Sequence, residues 1–232
     1  MISIIIPCYN EQNNIKHLFF KAITVSQILK DAEFIFVNNG SSDDTLTELY
    51  SNKSTCKNIN IKIVNIQTNL GYGNGILKGI LEASHAVIAW THADLQTDLE
   101  DIVIGYNLYL SENNNLCVVK GNRINRPFFD IIFTKSMEFF VFIFTNIYLH
   151  DINAQPKIFS KEFFTTIYND KIPLDFSFDL YFLYHAKKIG YIKSFNVNFN
   201  KREFDTSKGG GTLYGKYILT KRTFKYLFKF IK

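Results

Sequence analysis

The chain has 232 residues, 47% of them apolar and 20% charged. That is enough for one α/β domain with a full core, short for two, and unlike a disordered or fibrous protein. Its formal net charge of +5 is mild, and the basic residues crowd the end of the chain, which favours a local anionic partner over wholesale nucleic-acid binding.

The opening MISIIIPCYNE has no basic region before its short apolar run, so no signal peptide is expected. Ile2 to Ile6 read as a strand, and a helix follows over Asn13 to Leu29. Pro7, Tyr9, Asn10 and Glu11 turn the chain between them, with Asn10 placed to cap the helix. A second strand, Glu33 to Asn38, runs into Asn38, Asn39 and Gly40, where the glycine suits a tight turn and Asp43 a helix cap. Then come a helix over Asp43 to Tyr50, a strand over Ile61 to Ile66 and a helix over Gly73 to Ala83. The glycines between Gly71 and Gly75 read as the turn that opens this last helix, since their spacing is wrong for a P-loop and no Lys-Ser or Lys-Thr follows.

Ala86 to Thr91 read as a fourth strand, ending in WTHADLQTD. Asp94 and Gln96, two residues apart at a strand end, both offer oxygen to a hard divalent cation whose other ligands would be phosphate and water. The competing reading is a turn in which Asp94 and Asp98 cap the next helix, Asp98 to Ser111. A fifth strand, Leu116 to Lys120, completes a βαβα alternation that implies a parallel sheet covered by helices. Ligands of such sheets collect at the carboxyl ends of the strands, where these polar loops converge.

Beyond residue 125 the pattern becomes aromatic, with long helices over residues 127 to 149. The apolar run Phe139 to Leu149 is about half of the ~20 residues that span a bilayer, so no transmembrane helix is expected. Phe128, Phe129, Phe139 and Phe140 fit either a membrane interface or the core of the second half. A polar stop covers His150 to Lys157, a helix Asp179 to Lys188 and a strand Ile192 to Phe199. At the end, Tyr217, Phe224, Leu227, Phe228 and Ile231 share one helical face while Arg222, Lys225, Lys229 and Lys232 share another, a basic amphipathic helix suited to anionic lipid or to packing on the sheet. The three cysteines, Cys8, Cys56 and Cys117, lack metal-type spacing and suit a reduced, cytoplasmic setting.

SIIIPCYNE, VNNGSSDDT, NLGYGNG and THADLQTD, in this order and on these strand ends, resemble the nucleotide-sugar glycosyltransferases of family 2, and within it the dolichol-phosphate mannose synthase and polyprenyl-phosphate glycosyltransferase branch. The resemblance implies an α/β GT-A fold, one domain over 1–232, with a nucleotide-sugar-binding half at 1–125 and an acceptor-binding, membrane-surface half at 126–232. By that resemblance Pro7, Tyr9 and Glu11 line the base and ribose. Asn39 stands where the family has an aspartate that reads a base N–H, and Arg123 approaches phosphate. The metal segment of the family reads DADLQ. Here Asp94 and Gln96 remain as expected ligands of Mg²⁺ or Mn²⁺, while His92 replaces the first aspartate, as a third ligand that suits Mn²⁺ better than Mg²⁺, as a phosphate contact, or as a structural histidine that ligates nothing.

The resemblance also makes Asp151 to Lys157 a loop reaching across the donor, Asp179 an acidic group near the transferred sugar, and Arg202 with Lys208 a cation pair for diphosphate or lipid phosphate. Asp179 and Asp94 are the expected catalytic carboxylates. The implied activity is inverting transfer from a nucleotide diphosphate sugar to a polyprenyl phosphate or other lipid-linked acceptor, on the cytoplasmic face of a membrane. Transfer to a sugar hydroxyl in surface polysaccharide assembly and a non-catalytic nucleotide-binding relative are the rivals. An exposed aromatic surface would serve a homo-oligomer as well as a membrane.

Overall fold

A computed structural model describes residues 1–202 and 213–230. The first half alternates as expected: β1 (Ile2–Cys8), α1 (Gln12–Ile28), β2 (Glu33–Asn39), α2 (Thr45–Thr55), β3 (Asn60–Ile66), α3 (Tyr72–Glu82), β4 (Val87–Trp90), α4 (Asp101–Glu112) and β5 (Cys117–Ile124). There follow α5 (Phe128–Thr145), β6 (Lys157–Ser160), α6 (Lys161–Ile167), α7 (Phe178–Ile189), β7 (Tyr191–Asn198) and α8 (Leu213–Phe230). The strands form one sheet in the order β3, β2, β1, β4, β6, β5, β7. All neighbours are parallel except β6, which runs antiparallel to both β4 and β5.

β1 and β2 are almost continuously apolar because both of their faces are covered. On one face, Ile15, Leu18, Phe19, Ala22 and Val25 of α1 recur at helical spacing and are buried, with Phe19 stacked on Phe36 at 4.6 Å. The other face carries α3, α6 and α7 around Trp90, whose ring meets Phe159, Phe178 and Phe182 edge-on at 4.6–5.6 Å. Full burial of each such ring contributes roughly 1.5–3 kcal/mol. Leu227 of α8 closes this cluster.

Three features differ from expectation. No strand was expected at β6: the polar stop His150 to Lys157 takes in only its first residue, yet Lys157 and the neighbouring Gln155 are fully buried. Gly121, Asn122 and Arg123 lie within β5 rather than after it. The aromatic stretch after residue 125 is the single helix α5, of which only Glu138 and Val141 are buried. No helix among the described residues is long and apolar enough to cross a membrane.

Candidate active site

The parallel strands end on a cavity of about 370 Å³. Pro7, Tyr9 and Glu11 reach it from the end of β1, Asn39 from β2, and His92, Asp94 and Gln96 from β4. Asp179 from α7, Arg123 from β5 and Arg202 from the segment after β7 complete it. Every expected site residue within the described part of the chain therefore lines one space. Lys208 lies outside the described residues.

Local geometry explains the convergence. Gly40 has φ +70° and turns the chain off β2, while Gly71 has φ +128° and sits so close to the Leu174 carbonyl that a Cβ would collide with it. That approach brings Tyr72, the first residue of α3, under the cavity. Its ring stacks on Phe176 at 5.0 Å and lies 5.5 Å from the His92 ring. Asn10 does not cap α1; its Oδ1 accepts from the Ser42 backbone N–H at 2.8 Å and ties the first loop to the second. Asp43 is not the N-cap of α2 either; that residue is Asp44, and Asp43, one position earlier, accepts from Thr45 N–H at 3.0 Å.

The two asparagines separate. Asn38 is committed to structure, donating to Asn65 Oδ1 at 2.8 Å and accepting from Ser41 N–H at 3.3 Å. Asn39 donates to the Gly71 carbonyl at 3.0 Å, which fixes its amide, and its buried Oδ1 has no partner among the described residues. An acceptor at this edge is left for a ligand N–H.

Asp94 and Gln96 already converge on a cation. Arg202 donates through Nη2 to Asp94 Oδ2 at 2.6 Å and through Nε to Gln96 Oε1 at 3.1 Å. The same segment is tied down by Asn200, whose N–H donates to the Gln96 carbonyl at 2.8 Å and whose carbonyl accepts from Gln96 Nε2 at 3.2 Å. Two oxygens aimed at one guanidinium fit a divalent cation in chemistry and direction. No group of three His, Cys, Asp or Glu side chains able to hold a metal occurs among the described residues, so phosphate and water oxygens would have to fill the remaining positions. Burial pushes the His92 pKa down, against the pull of Asp94 and Asp179, which favours a neutral imidazole. Asp98 is elsewhere: it pairs with Lys21 at 2.8 Å and accepts from Glu100 N–H at 3.0 Å at the entry to α4.

Asp179, only 1% exposed, sits in the first turn of α7. Its Oδ1 accepts from Lys157 Nζ at 2.5 Å and from Gln155 Nε2 at 3.2 Å. Gln155 also donates to the Tyr72 hydroxyl at 3.0 Å. The Tyr72 pKa is raised by burial and further by Asp179.

A second cavity, about 480 Å³, lies beside the first. Gln96, Arg123, Asn153, Phe176, Phe199 and Arg202 line both. Its basic wall is Arg123 and Arg126, organised by Asp151. Arg123 donates to Asp151 through its backbone N–H at 2.9 Å and through Nη2 at 2.5 Å, and Arg126 Nη1 lies 3.5 Å from the same carboxylate. Burial pushes the Asp151 carboxyl up, but the Arg123 guanidinium outweighs it and holds the pKa well below the usual carboxylate range. Phe199 lies under both guanidinium groups, at 5.1 and 5.8 Å. Sequence reasoning missed Arg126 and Tyr72; the signal for Arg126 was its place three residues after Arg123.

Residues 3–173 match the family model for glycosyl transferase family 2. The chain is 26% identical over 227 residues to the dolichyl-phosphate beta-glucosyltransferase of Dictyostelium discoideum, covering 89% of this chain and 68% of that protein. It is 32% identical over 102 residues to the undecaprenyl-phosphate 4-deoxy-4-formamido-L-arabinose transferase of Enterobacter sp. (strain 638), covering 44% of this chain and 31% of that one. The chain thus spans about a third of the length of the second relative. Its fold matches that of glucosyl-3-phosphoglycerate synthase from Mycobacterium tuberculosis, solved with Mn²⁺, uridine-diphosphate-glucose and phosphoglyceric acid, with a TM-score of 0.74 at 13% identity over 100% of this chain and 79% of that one. The mostly parallel sheet flanked by helices is the GT-A arrangement, and with the match over residues 3–173 the chain belongs to glycosyl transferase family 2.

Proposed function

We propose that the protein is an inverting glycosyltransferase that moves a sugar from a nucleoside diphosphate sugar to a polyprenyl phosphate or other lipid-linked phosphate at the cytoplasmic face of a membrane. The observation that carries this reading is the pair of cavities meeting at Arg123 and Arg202, one rimmed by strand-end polar groups and the other by paired arginines. The names of the two relatives above support a lipid-phosphate acceptor.

Pro7, Tyr9 and Glu11 line the base and ribose end, and Asn39 Oδ1 accepts a base N–H. Asp94 and Gln96 would hold Mg²⁺ or Mn²⁺, with His92 as a further candidate, and the ion would draw off charge from the departing diphosphate. Arg202 adds a planar donor fork beside that diphosphate. Arg123 and Arg126, fixed by Asp151, hold the acceptor phosphate in the second cavity. An acceptor oxygen then attacks the anomeric carbon as the bond to the diphosphate breaks on the opposite side, which inverts that centre. A phosphate nucleophile is already an anion and needs no strong base, so Asp179 orients the reacting groups rather than removing a proton. α5 lines the second cavity with Asp130, Phe133 and Thr134, and its exposed rings, among them Phe128 and Phe129, suit a membrane interface or a second copy of the chain.

The test is product analysis with a panel of uridine and guanosine diphosphate sugars, Mn²⁺ or Mg²⁺, and undecaprenyl phosphate in detergent. The expected product is an acid-labile glycosyl phosphate, absent with Asp94→Asn. Transfer confined to sugar hydroxyls would favour the polysaccharide reading, and nucleotide binding without turnover the non-catalytic one.

A further inference from the structure

We infer that Lys157 is a positioning residue for the reaction, fixing the Asp179 carboxylate at the floor of the donor cavity; this rests on the proposed placing of Asp179 at the reacting centre. Lys157 begins β6, and its register places it opposite Trp90 of β4 on one side and Lys120 of β5 on the other. Its side chain is fully buried. Nζ donates to Asp179 Oδ1 at 2.5 Å and to the Ala154 carbonyl at 3.0 Å, and lies 5.4 Å from the centre of the Trp90 ring. A three-sided setting of this kind fixes the direction of an ammonium that would otherwise be a mobile point charge.

The consequence falls on Asp179. The bonds from Lys157 and Gln155 both end on Oδ1 and neither uses Oδ2, so the carboxylate is anchored through one of its oxygens while the residue lines the cavity. Lys120, buried beside Lys157, donates to the Gly121 carbonyl at 2.6 Å and has no carboxylate within ion-pair distance among the described residues. The pairing with Asp179 is therefore specific to one of two adjacent buried lysines. Stability alone gives little reason for it: two charges taken out of water cost more than well-packed apolar side chains of similar volume. A geometric requirement on Asp179 does.

The test compares wild type, Lys157→Met, Asp179→Asn and the double variant, using uridine and guanosine diphosphate sugars with undecaprenyl phosphate. Turnover and donor affinity are measured separately. Lys157→Met should lower kcat by about 10²-fold, the effect of a misplaced group near the reacting atoms, with donor affinity unchanged. The double variant should be no slower than Asp179→Asn, because residues acting as a unit are not additive. If Lys157→Met does not fold, the double variant, which removes the charge pair together, carries the comparison with Asp179→Asn. A double variant clearly slower than Asp179→Asn, or a Lys157→Met with wild-type kcat while Asp179→Asn is impaired, overturns the inference. Wild-type turnover in Asp179→Asn, or none in wild type, overturns the parent reading instead.

Discussion

Arg202 sits on the two oxygens, Asp94 Oδ2 and Gln96 Oε1, that the sequence assigns to a divalent ion, and this locates the electrostatic centre of the site more sharply than any motif. In the proposed function Asp94 and Gln96 would hold the ion, and the Arg202 guanidinium would offer the diphosphate a charge-assisted donor fork. Lys120 makes a different point at the same scale. Burial pushes its pKa down to about 7, well below that of an unfolded lysine at roughly 10.4. Between those values the unfolded chain holds a proton that the folded chain has released, so this group makes folding more favourable as pH rises from about 7 towards 10 and costs stability below that window. Lys120→Met should therefore gain on the wild type in urea-denaturation midpoint at pH 7, with the advantage shrinking by pH 9.5. An advantage that is absent or independent of pH would show that the lysine is not buried in this way. In the sequence, Asp94 and Gln96 were legible because two oxygen-bearing side chains two residues apart at a strand end suit a cation, whereas Arg123 was legible only through the family resemblance. The resemblance put Asp151 and Lys157 in the loop reaching across the donor, but their ion pairs were not legible, since a buried charge is recognised only by its partner, and the partners Arg123 and Asp179 lie 28 and 22 residues away.

At the level of elements, α5 and β6 show where pattern reading stops. The parallel strands β1 to β5 were legible from short β-branched runs separated by helical periods. β6 was not: four residues, KIFS, carry too little periodicity, and its polar first residue is paired inside the sheet. α5 was recognised as apolar, but whether its rings face core or lipid depends on what packs against it. The structure answers in part. α8 covers one flank, with Phe224 against Phe140 at 4.9 Å and Phe228 against Phe144 at 5.0 Å, and Leu227 enters the core, so the basic helix packs on protein along at least one face. Phe128 and Phe129 remain 71% and 79% exposed. Replacing both with Ser should leave thermal stability nearly unchanged, because neither ring is buried, and should weaken flotation with anionic liposomes. If each ring is inserted, its loss removes roughly 1.5–3 kcal/mol of transfer energy, a tenfold or greater effect. Flotation that is undiminished would remove α5 from the membrane contact.

For the molecule as a whole, the sheet brings residues from both halves of the chain to one edge: Pro7 to Gln96 from the first, Asp179 and Arg202 from the second. β7 pairs with β5 along its full length, which holds the Arg202 segment at the ends of the first-half strands. This architecture followed from the βαβα alternation together with the family resemblance, whereas the second cavity did not, because its arginines, Phe199 and α5 meet only after the chain has crossed the sheet. The proposed function requires this edge to be a metal-dependent donor site. Titration of the full chain with Mn²⁺ followed by electron paramagnetic resonance, with and without uridine diphosphate or guanosine diphosphate, tests it most directly. Protein-bound Mn²⁺ is expected when a nucleoside diphosphate is present, weakened by about 10- to 100-fold or more in Asp94→Asn, since even outer partners of a metal site have effects of that size. No bound Mn²⁺ with either nucleotide, or binding indifferent to Asp94→Asn, would contradict it.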